Sequence, residues 1–121
     1  MISDRVALAV FRTGLRVSGE PVIFVRGETR IECKAVRGST NWDTNAAYPG
    51  NRVGTRSTDW LIVAVDLTPD DADSPLVPER KDEIHTGNGD FRVMPFGPDS
   101  QLWKYHDRGR QIYRIFSKER S

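Results

Sequence analysis

The 121-residue chain contains a single cysteine, Cys33, so it can form no internal disulfide bond. A chain without disulfides is typical of a reducing compartment. It has no apolar run as long as a membrane-spanning helix, and residues 1–5 lack the basic and apolar regions of a secretory signal peptide. We therefore expect a protein of the cytoplasm, or of a particle assembled there, without membrane association.

The chain also has almost no net charge. Its 18 lysines and arginines against 17 acidic residues give +1, so composition does not argue for bulk nucleic-acid binding. The charges are unevenly spread: residues 66–90 carry a net −6 and residues 100–121 a net +4. Faces of opposite sign suit head-to-tail packing of identical chains. Two separately solvated surfaces would give the same composition.

One short helix is predicted at the N-terminus, over about residues 3–13. Ser3 is a good N-cap, and Gly14 can end the helix. The apolar residues at helical spacing predict that Val10 or Phe11 packs against the rest of the domain.

The remainder reads as short strands joined by turns. Gly27-Glu28 and Gly87-Asn88-Gly89 are typical of hairpin turns. The most hydrophobic stretch, residues 59–67, predicts a central strand. Further strands are expected at residues 21–26, 29–37, 81–84, 90–96, 102–105 and 111–116. The sequence thus predicts a mainly β domain over residues 1–121, a small β-barrel or sandwich of about six or seven strands with one short N-terminal helix.

Two long loops are predicted, at about residues 38–57 and 68–78. The first is rich in Gly, Asn and Thr, and a loop of roughly twenty residues in a small domain usually has a function or is disordered. Strand alternation, with the phase of each strand left open, predicts the core. The core residues expected are Phe24, Ile31, Cys33, Trp60, Ile62, Ala64, Val93, Tyr113 and Ile115.

Signals for catalysis or metal binding are weak. His85 and His106 are the only histidines, and no Cys-x-x-Cys or His-x-x-x-His spacing occurs. Cys33 lies in an alternating strand on the same face as Ile31 and Ala35, which favours a buried structural thiol. We expect no enzyme activity, no cofactor and no metal. A deep pocket holding a histidine beside a carboxylate would instead indicate an unrecognised enzyme site.

Three segments, taken in order, resemble the head-tail joining proteins of tailed bacteriophages. The first is the central strand Asp59-Trp60-Leu61-Ile62, continuing to Asp66-Leu67. The second is Pro78-Glu79-Arg80-Lys81-Asp82-Glu83-Ile84, then a turn, then Phe91-Arg92-Val93-Met94-Pro95. The third is Trp103-Lys104-Tyr105-His106-Asp107, followed by Tyr113-Arg114-Ile115-Phe116-Ser117-Lys118. In the second segment Lys81 stands where the family usually has glycine.

The resemblance implies a structural virion protein that joins the portal vertex of the head to the tail and closes the DNA-filled head. Its implied partners are the portal or adaptor ring and the tail proteins. It would form a homo-oligomeric ring on the virion, through which DNA passes without being read, and stay monomeric in isolation. It would be found in the virion, and in the host cytoplasm during assembly.

Interface residues are expected in the long loops and the charged segments. They are Trp42, Tyr48, Arg52, Asp70, Asp71, Asp73, Arg108, Arg110 and Arg114. An alternative function stays open, a small β-barrel that binds single-stranded nucleic acid through aromatic and basic side chains of the C-terminal strands. Those side chains are Trp103, Lys104, Tyr105, Arg108, Arg110, Tyr113 and Arg114.

Overall fold

A computed structural model describes residues 3–42 and 56–120, which form one α-helix, seven β-strands and a short 3₁₀ helix. The α-helix α1 covers Asp4–Ser18 and the 3₁₀ helix Ala64–Leu67. The strands are β1 (Glu20–Arg26), β2 (Thr29–Asn41), β3 (Arg56–Val63), β4 (Glu83–Thr86), β5 (Gly89–Val93), β6 (Trp103–Tyr105) and β7 (Ile112–Glu119).

Six of the strands close into an antiparallel barrel. The order is β3-β2-β1-β4-β5-β7, and the pairing of β3 with β7 joins the two ends. The short strand β6 is added beside β7, next to β5, and lies outside the ring. Closure pairs the strand edges that an open sheet would leave free. The mainly β prediction is confirmed, and the architecture is a barrel rather than a sandwich.

The barrel interior holds the main hydrophobic core. Phe24, Trp60 and Ile62 are fully buried there, as the strand alternation predicted. Ile31 and Cys33 pack against this core but stay partly exposed. The other core members are Val22, Ala35, Ala64, Leu67, Ile84, Phe91, Val93, Tyr113 and Ile115.

Helix α1 is longer than the sequence indicated. Ser3 caps it as predicted, with its hydroxyl accepting a hydrogen bond from the Val6 amide, 3.2 Å away. The prediction that Gly14 ends the helix is wrong, because Leu15 is buried and anchors one more turn. The Gly19 amide then donates to the Leu15 carbonyl at 2.9 Å. No helix in the described ranges is long and apolar enough to cross a membrane.

The prediction that residues 38–57 form a loop is wrong at both ends of that range. Strand β2 continues to Asn41, and Asn41 pairs with Arg56 at the start of β3. The polar composition of these edges does not mark a loop, because several of the side chains bond to one another on the barrel wall. Residues 43–55 lie outside the described part of the chain.

Two other predicted boundaries differ from those in the structure. The expected strand at residues 59–67 ends at Val63 and continues as the 3₁₀ helix Ala64–Leu67. The second loop reaches Asp82 rather than residue 78, since β4 begins at Glu83. Within this loop Lys81 has φ +78°, in the left-handed region. Glycine adopts that conformation at little cost, whereas a lysine there carries backbone strain.

Candidate assembly surfaces

A buried carboxylate lies on the outer wall of the barrel. Asp59 is fully buried and faces outward from β3. Arg114, its neighbour on β7, approaches it with Nε at 2.8 Å and a terminal nitrogen at 2.7 Å. The Ser57 hydroxyl donates to the second carboxylate oxygen at 2.5 Å, and Thr40 donates to the same oxygen as Arg114. The charge of Asp59 is therefore compensated within the chain.

Trp42 covers one side of this network. Its indole nitrogen donates to Ser57 Oγ at 2.8 Å. Its ring lies edge-on to Phe116, with centroids 4.9 Å apart, and stacks on Phe96 at 6.0 Å. Gly97 completes the seat, because a Cβ there would lie 2.7 Å from the Trp42 ring. Trp42 thus fixes the end of β2 to the barrel wall.

Two predicted interface residues make contacts within the chain. Arg114 is the counter-ion of Asp59, and Trp42 is packed on the barrel wall, so neither is a freely presented contact residue. The sequence could not reveal this, because the residues that hold them come from strands far apart in the chain. Tyr48 and Arg52 lie outside the described residues.

Most acidic side chains of residues 66–90 form ion pairs within the chain. Asp82 is buried and accepts two hydrogen bonds from Arg26, at 2.9 and 2.7 Å, and one from the Glu79 amide at 2.7 Å. The bond to Asp82 is the main reason why the pKa of Arg26 is raised. Asp66 forms a salt bridge of 3.0 Å with Arg12 on α1. The Asp82 contacts attach the end of the long loop to the barrel, and the Asp66 contact attaches the 3₁₀ helix to α1.

Glu83 is the centre of a second charged cluster, on the outer faces of β4, β5 and β7. Its carboxylate lies 2.8 Å from His85 Nε2, 2.9 Å from Arg120 and 3.5 Å from Arg92. The hydrogen bond with His85, and then the charge of Arg120, lower the pKa of Glu83 despite partial burial. His85 thus has a carboxylate neighbour that two arginines already bind. The His85–Glu83 pair therefore has a structural role.

Three predicted acidic contact residues lie at the surface without a partner among the described residues. Asp70, Asp71 and Asp73 are exposed, and their side chains form no hydrogen bond or ion pair with any described residue. We call the segment that carries them, residues 68–78, the acidic loop. Asp70 and Asp71 line a shallow cleft with residues 29–32, at the start of β2. The acidic loop therefore lies beside the β1–β2 turn.

Two predicted basic contact residues also lie at the surface without a partner among the described residues. Arg108 and Arg110 are exposed on residues 106–111, here called the basic hairpin loop, and their side chains bond to no described residue. The carboxylate of Asp107 shapes this loop by accepting from the amides of Gln111 and Ile112, at 3.0 and 2.9 Å. The loop thus presents its arginines on a fixed turn.

The acidic and basic loops lie across one mouth of the barrel from each other. Val63 ends β3 beside Ile112, the first residue of β7, and the Ala64 amide donates to the Gln111 carbonyl at 2.8 Å. Both loops therefore leave the same barrel end. Around the ring of six strands, β2 is two strands from β7 and β1 is three. Asp70 and Asp71 consequently lie across this barrel mouth from the basic hairpin loop.

The aromatic residues of the C-terminal strands pack mainly on each other. Trp103, Tyr105 and Tyr113 form a cluster with ring centroids 4.9 to 5.7 Å apart. Tyr113 is buried, its hydroxyl donates to the Leu76 carbonyl at 3.0 Å, and desolvation raises its pKa. With Tyr113 in the core and Arg114 bound to Asp59, two side chains of the expected nucleic-acid platform are engaged elsewhere.

The remaining titratable groups fit structural roles. Burial raises the pKa of the Cys33 thiol to about 12, so it stays protonated at neutral pH. Burial also lowers the pKa of His106, and the charge of Arg114 adds to this effect. In residues 3–42 and 56–120, no group of three or more His, Cys, Asp or Glu side chains could hold a metal ion.

A closed antiparallel barrel with internally paired buried charges and two unpaired charged loops defines a small structural binding domain. The chain belongs to the family described as phage head-tail joining protein, whose pattern matches residues 5–121, nearly the whole chain. The family consists of structural virion proteins. No match was found among curated proteins.

Proposed function

We propose that this chain forms a ring between the portal vertex and the tail and closes the DNA-filled head. The observation that carries the proposal is the placement of Asp70 and Asp71 across one barrel mouth from Arg108 and Arg110. A chain with complementary charges on opposite sides can pack head to tail, and a constant rotation between copies closes such packing into a ring. In this ring the acidic loop of each copy faces the basic hairpin loop of the next.

The same charges explain why the free chain is monomeric in this proposal. Contacts between exposed charges are weak, and salt screens them. A portal or adaptor ring that holds several copies side by side raises their effective concentration, so weak lateral contacts become sufficient. The ring then forms where it is needed, and DNA passes through it without base readout.

The charge pairing is tested by exchange of the loop charges in the phage that encodes the chain. Arg108→Glu with Arg110→Glu should leave the monomer folded, because both side chains are exposed, and should block production of infectious particles. Adding Asp70→Arg with Asp71→Arg should restore them by re-pairing the interface with inverted sign. Arg114 is kept unchanged, because its loss would disturb the fold through Asp59.

The two parts of the proposal fail separately. Full phage yield after deletion of the gene would exclude the joining role. Full yield from the Arg108→Glu, Arg110→Glu variant would exclude the charge-paired ring and leave the joining role in place. Filled heads without tails, or heads that leak DNA, are the expected products of the deletion.

A further inference from the structure

Strand β2 has a backbone edge that its own barrel leaves unpaired. Residues 29–35 of β2 pair with β1 on one side, but on the other side β3 pairs only with residues 36–41. Strand β3 ends at Val63, and the chain continues there as the 3₁₀ helix. Among the described residues, no strand therefore adjoins the outer side of residues 29–32, which we call the β2 edge.

The backbone groups of Arg30 and Glu32 point to the β2 edge. The two-residue turn makes Arg26 and Thr29 a hydrogen-bonded pair, so the alternate residues Arg30 and Glu32 direct their amides and carbonyls away from β1. Both residues are exposed, and these groups bond to no other residue that the structure describes. An unpaired strand edge of this kind is a template for the addition of another strand.

A shallow cleft runs along the β2 edge. Residues 29–32 form one of its walls, and residues between 66 and 71 form the other. Ile31 packs against the barrel core but stays partly exposed, because no neighbouring strand covers it on this side. A strand laid along the edge would therefore cover Ile31 and lie beside the carboxylates of Asp70 and Asp71.

A second unpaired edge belongs to β6. The His106 amide donates to the Ile112 carbonyl at 2.7 Å, and by strand alternation Lys104 also directs its backbone groups to β7. The amides and carbonyls of Trp103 and Tyr105 consequently face away from β7. No strand in the described part of the chain pairs with them there. We call this side of β6 the β6 edge.

The two edges lie on opposite sides of the barrel mouth that carries the charged loops. Strand β6 pairs with the same side of β7 as β5 does, and β5 is three strands from β2 around the ring. The cleft along the β2 edge includes Asp70 and Asp71, and β6 leads directly into the basic hairpin loop. Each edge is thus continuous with one of the two charged groups on which the proposed ring depends.

We propose that neighbouring copies in the ring are joined by backbone hydrogen bonds, with the β6 edge of one copy added to the β2 edge of the next. This inference rests on the proposed ring and specifies the contact within it. On each edge the unpaired residues are two apart, which is the repeat of an antiparallel ladder. Trp103 then pairs with Glu32 of the next copy, and Tyr105 pairs with Arg30. Each pair exchanges both of its N–H···O bonds.

The chemistry of the cleft selects a second copy as its occupant. A strand that enters the cleft must bring an unpaired edge of its own and positive charge to meet Asp70 and Asp71. Strand β6 has both, because Lys104 is exposed on it and the exposed Arg108 and Arg110 follow it. An edge as short as β6 gives little affinity by itself, so this contact also requires a template that holds the copies side by side.

Proline substitutions test the backbone contact, because proline has no amide hydrogen to donate. Arg30→Pro removes an amide of the β2 edge and leaves the bonds between β1 and β2 in place. Tyr105→Pro removes an amide of the β6 edge and leaves the bonds to β7 in place. Arg30→Ala and Tyr105→Ala are the matched controls, since they remove the same side chains and keep the amides. Thermal melts of the free chain identify the proline variants that fold.

Phage that carry either folded proline variant should lose infectious yield, and their heads should retain fewer copies of the chain. The alanine controls should match wild type in both measurements. Folded proline variants that equal their alanine controls in yield and in copy number would overturn the inference.

A cysteine pair tests the same contact without removal of a backbone amide. The Cα atoms of a hydrogen-bonded antiparallel pair lie about 5.5 Å apart, a distance that a disulfide bond spans. Mild oxidation of particles carrying Arg30→Cys with Tyr105→Cys should therefore give a ladder of covalent multimers. The single variant Arg30→Cys should stay monomeric. The native thiol of Cys33 is kept in both, because its pKa of about 12 leaves it protonated.

The outcomes separate the inference from the function on which it rests. If exchange of the loop charges abolishes and restores infectivity, but the cysteine pair gives no multimers, the inference is overturned and the charge-paired ring stays. Multimers from the cysteine pair together with full yield from Arg108→Glu, Arg110→Glu would support the backbone contact and overturn the charge pairing. Absence of the wild-type chain from particles would overturn the joining role and the inference together.

Discussion

Arg114 of β7 and Asp59 of β3 form an ion pair on the outer wall of the barrel, with the carboxylate completely shielded from water. A charge at such a depth is tolerated only when it is paired and fully hydrogen-bonded. Arg114, Ser57 and Thr40 together meet this requirement. Substitutions of Arg114 in the C-terminal strand are therefore expected to destabilise the fold.

Removing the guanidinium should destabilise the protein strongly. We expect Arg114→Leu to lower the free energy of unfolding by about 3–5 kcal/mol, because Asp59 would be left buried without a counter-ion. Urea denaturation of the full chain measures this. The matched control, Arg110→Leu, removes an exposed arginine and should change stability by no more than about 0.5 kcal/mol. Equal losses from the two variants would show that Arg114 does not hold Asp59. The double variant Asp59→Asn, Arg114→Leu should recover part of the loss.

The seat of Trp42 should not tolerate a side chain at Gly97. Gly97 has φ +78°, and an added Cβ would lie 2.7 Å from the indole ring. Gly97→Ala should therefore lower the free energy of unfolding by about 1–3 kcal/mol, through backbone strain and displacement of Trp42. Gly87→Ala is the control, since an added Cβ meets no atom within 4 Å there. Thermal melts compare the two, and a Gly97→Ala protein as stable as wild type would contradict the described seat.

Replacement of Lys81 by glycine should relieve the strained backbone at this position. Lys81 has φ +78° and is exposed, so its side chain contributes little packing. Lys81→Gly should raise the free energy of unfolding by up to about 1 kcal/mol, because glycine adopts this conformation without a Cβ penalty. Lys34→Gly, at an exposed position within β2, should be destabilising instead. Chemical denaturation of both variants tests the contrast, and a loss of stability in Lys81→Gly would count against strain at this position.

The Glu83 cluster should contribute to acid sensitivity. The pKa of Glu83 is lowered in the folded state, first by the hydrogen bond with His85 and then by Arg120. Its stabilising contribution is therefore complete above the unfolded-state pKa of about 4.3 and is lost as pH falls through the lower folded-state pKa. Glu83→Gln should be less stable than wild type near neutral pH, with the difference shrinking below about pH 4.

Urea midpoints at several pH values measure this convergence. Asp71→Asn, which removes an exposed acid of the acidic loop, should keep the wild-type slope with pH because the Glu83 cluster stays intact. A constant difference between Glu83→Gln and wild type down to the acid transition would contradict the linkage.

The sequence by itself determined the mainly β class, the N-terminal helix with its Ser3 cap, and both glycine hairpin turns. These depend on local periodicity and turn chemistry, which neighbouring residues specify without long-range information. It also determined that charge is divided between an acidic and a basic segment. The residues expected at an interface in the acidic and basic loops are exposed, and their contacts with a partner remain proposals.

The tertiary structure alone decided which faces and which charges are buried. Of the two helix residues considered for contact with the domain, Phe11 is partly buried on the inner face of α1 and Val10 is exposed, because periodicity defines a stripe and not the surface that covers it. Asp59 and Arg114 bond only because β3 and β7, which lie far apart in sequence, pair to close the barrel. Closure joins distant strands, and so it decides which charges are neutralised inside the chain and which, such as Asp70 and Arg108, stay exposed without a described partner.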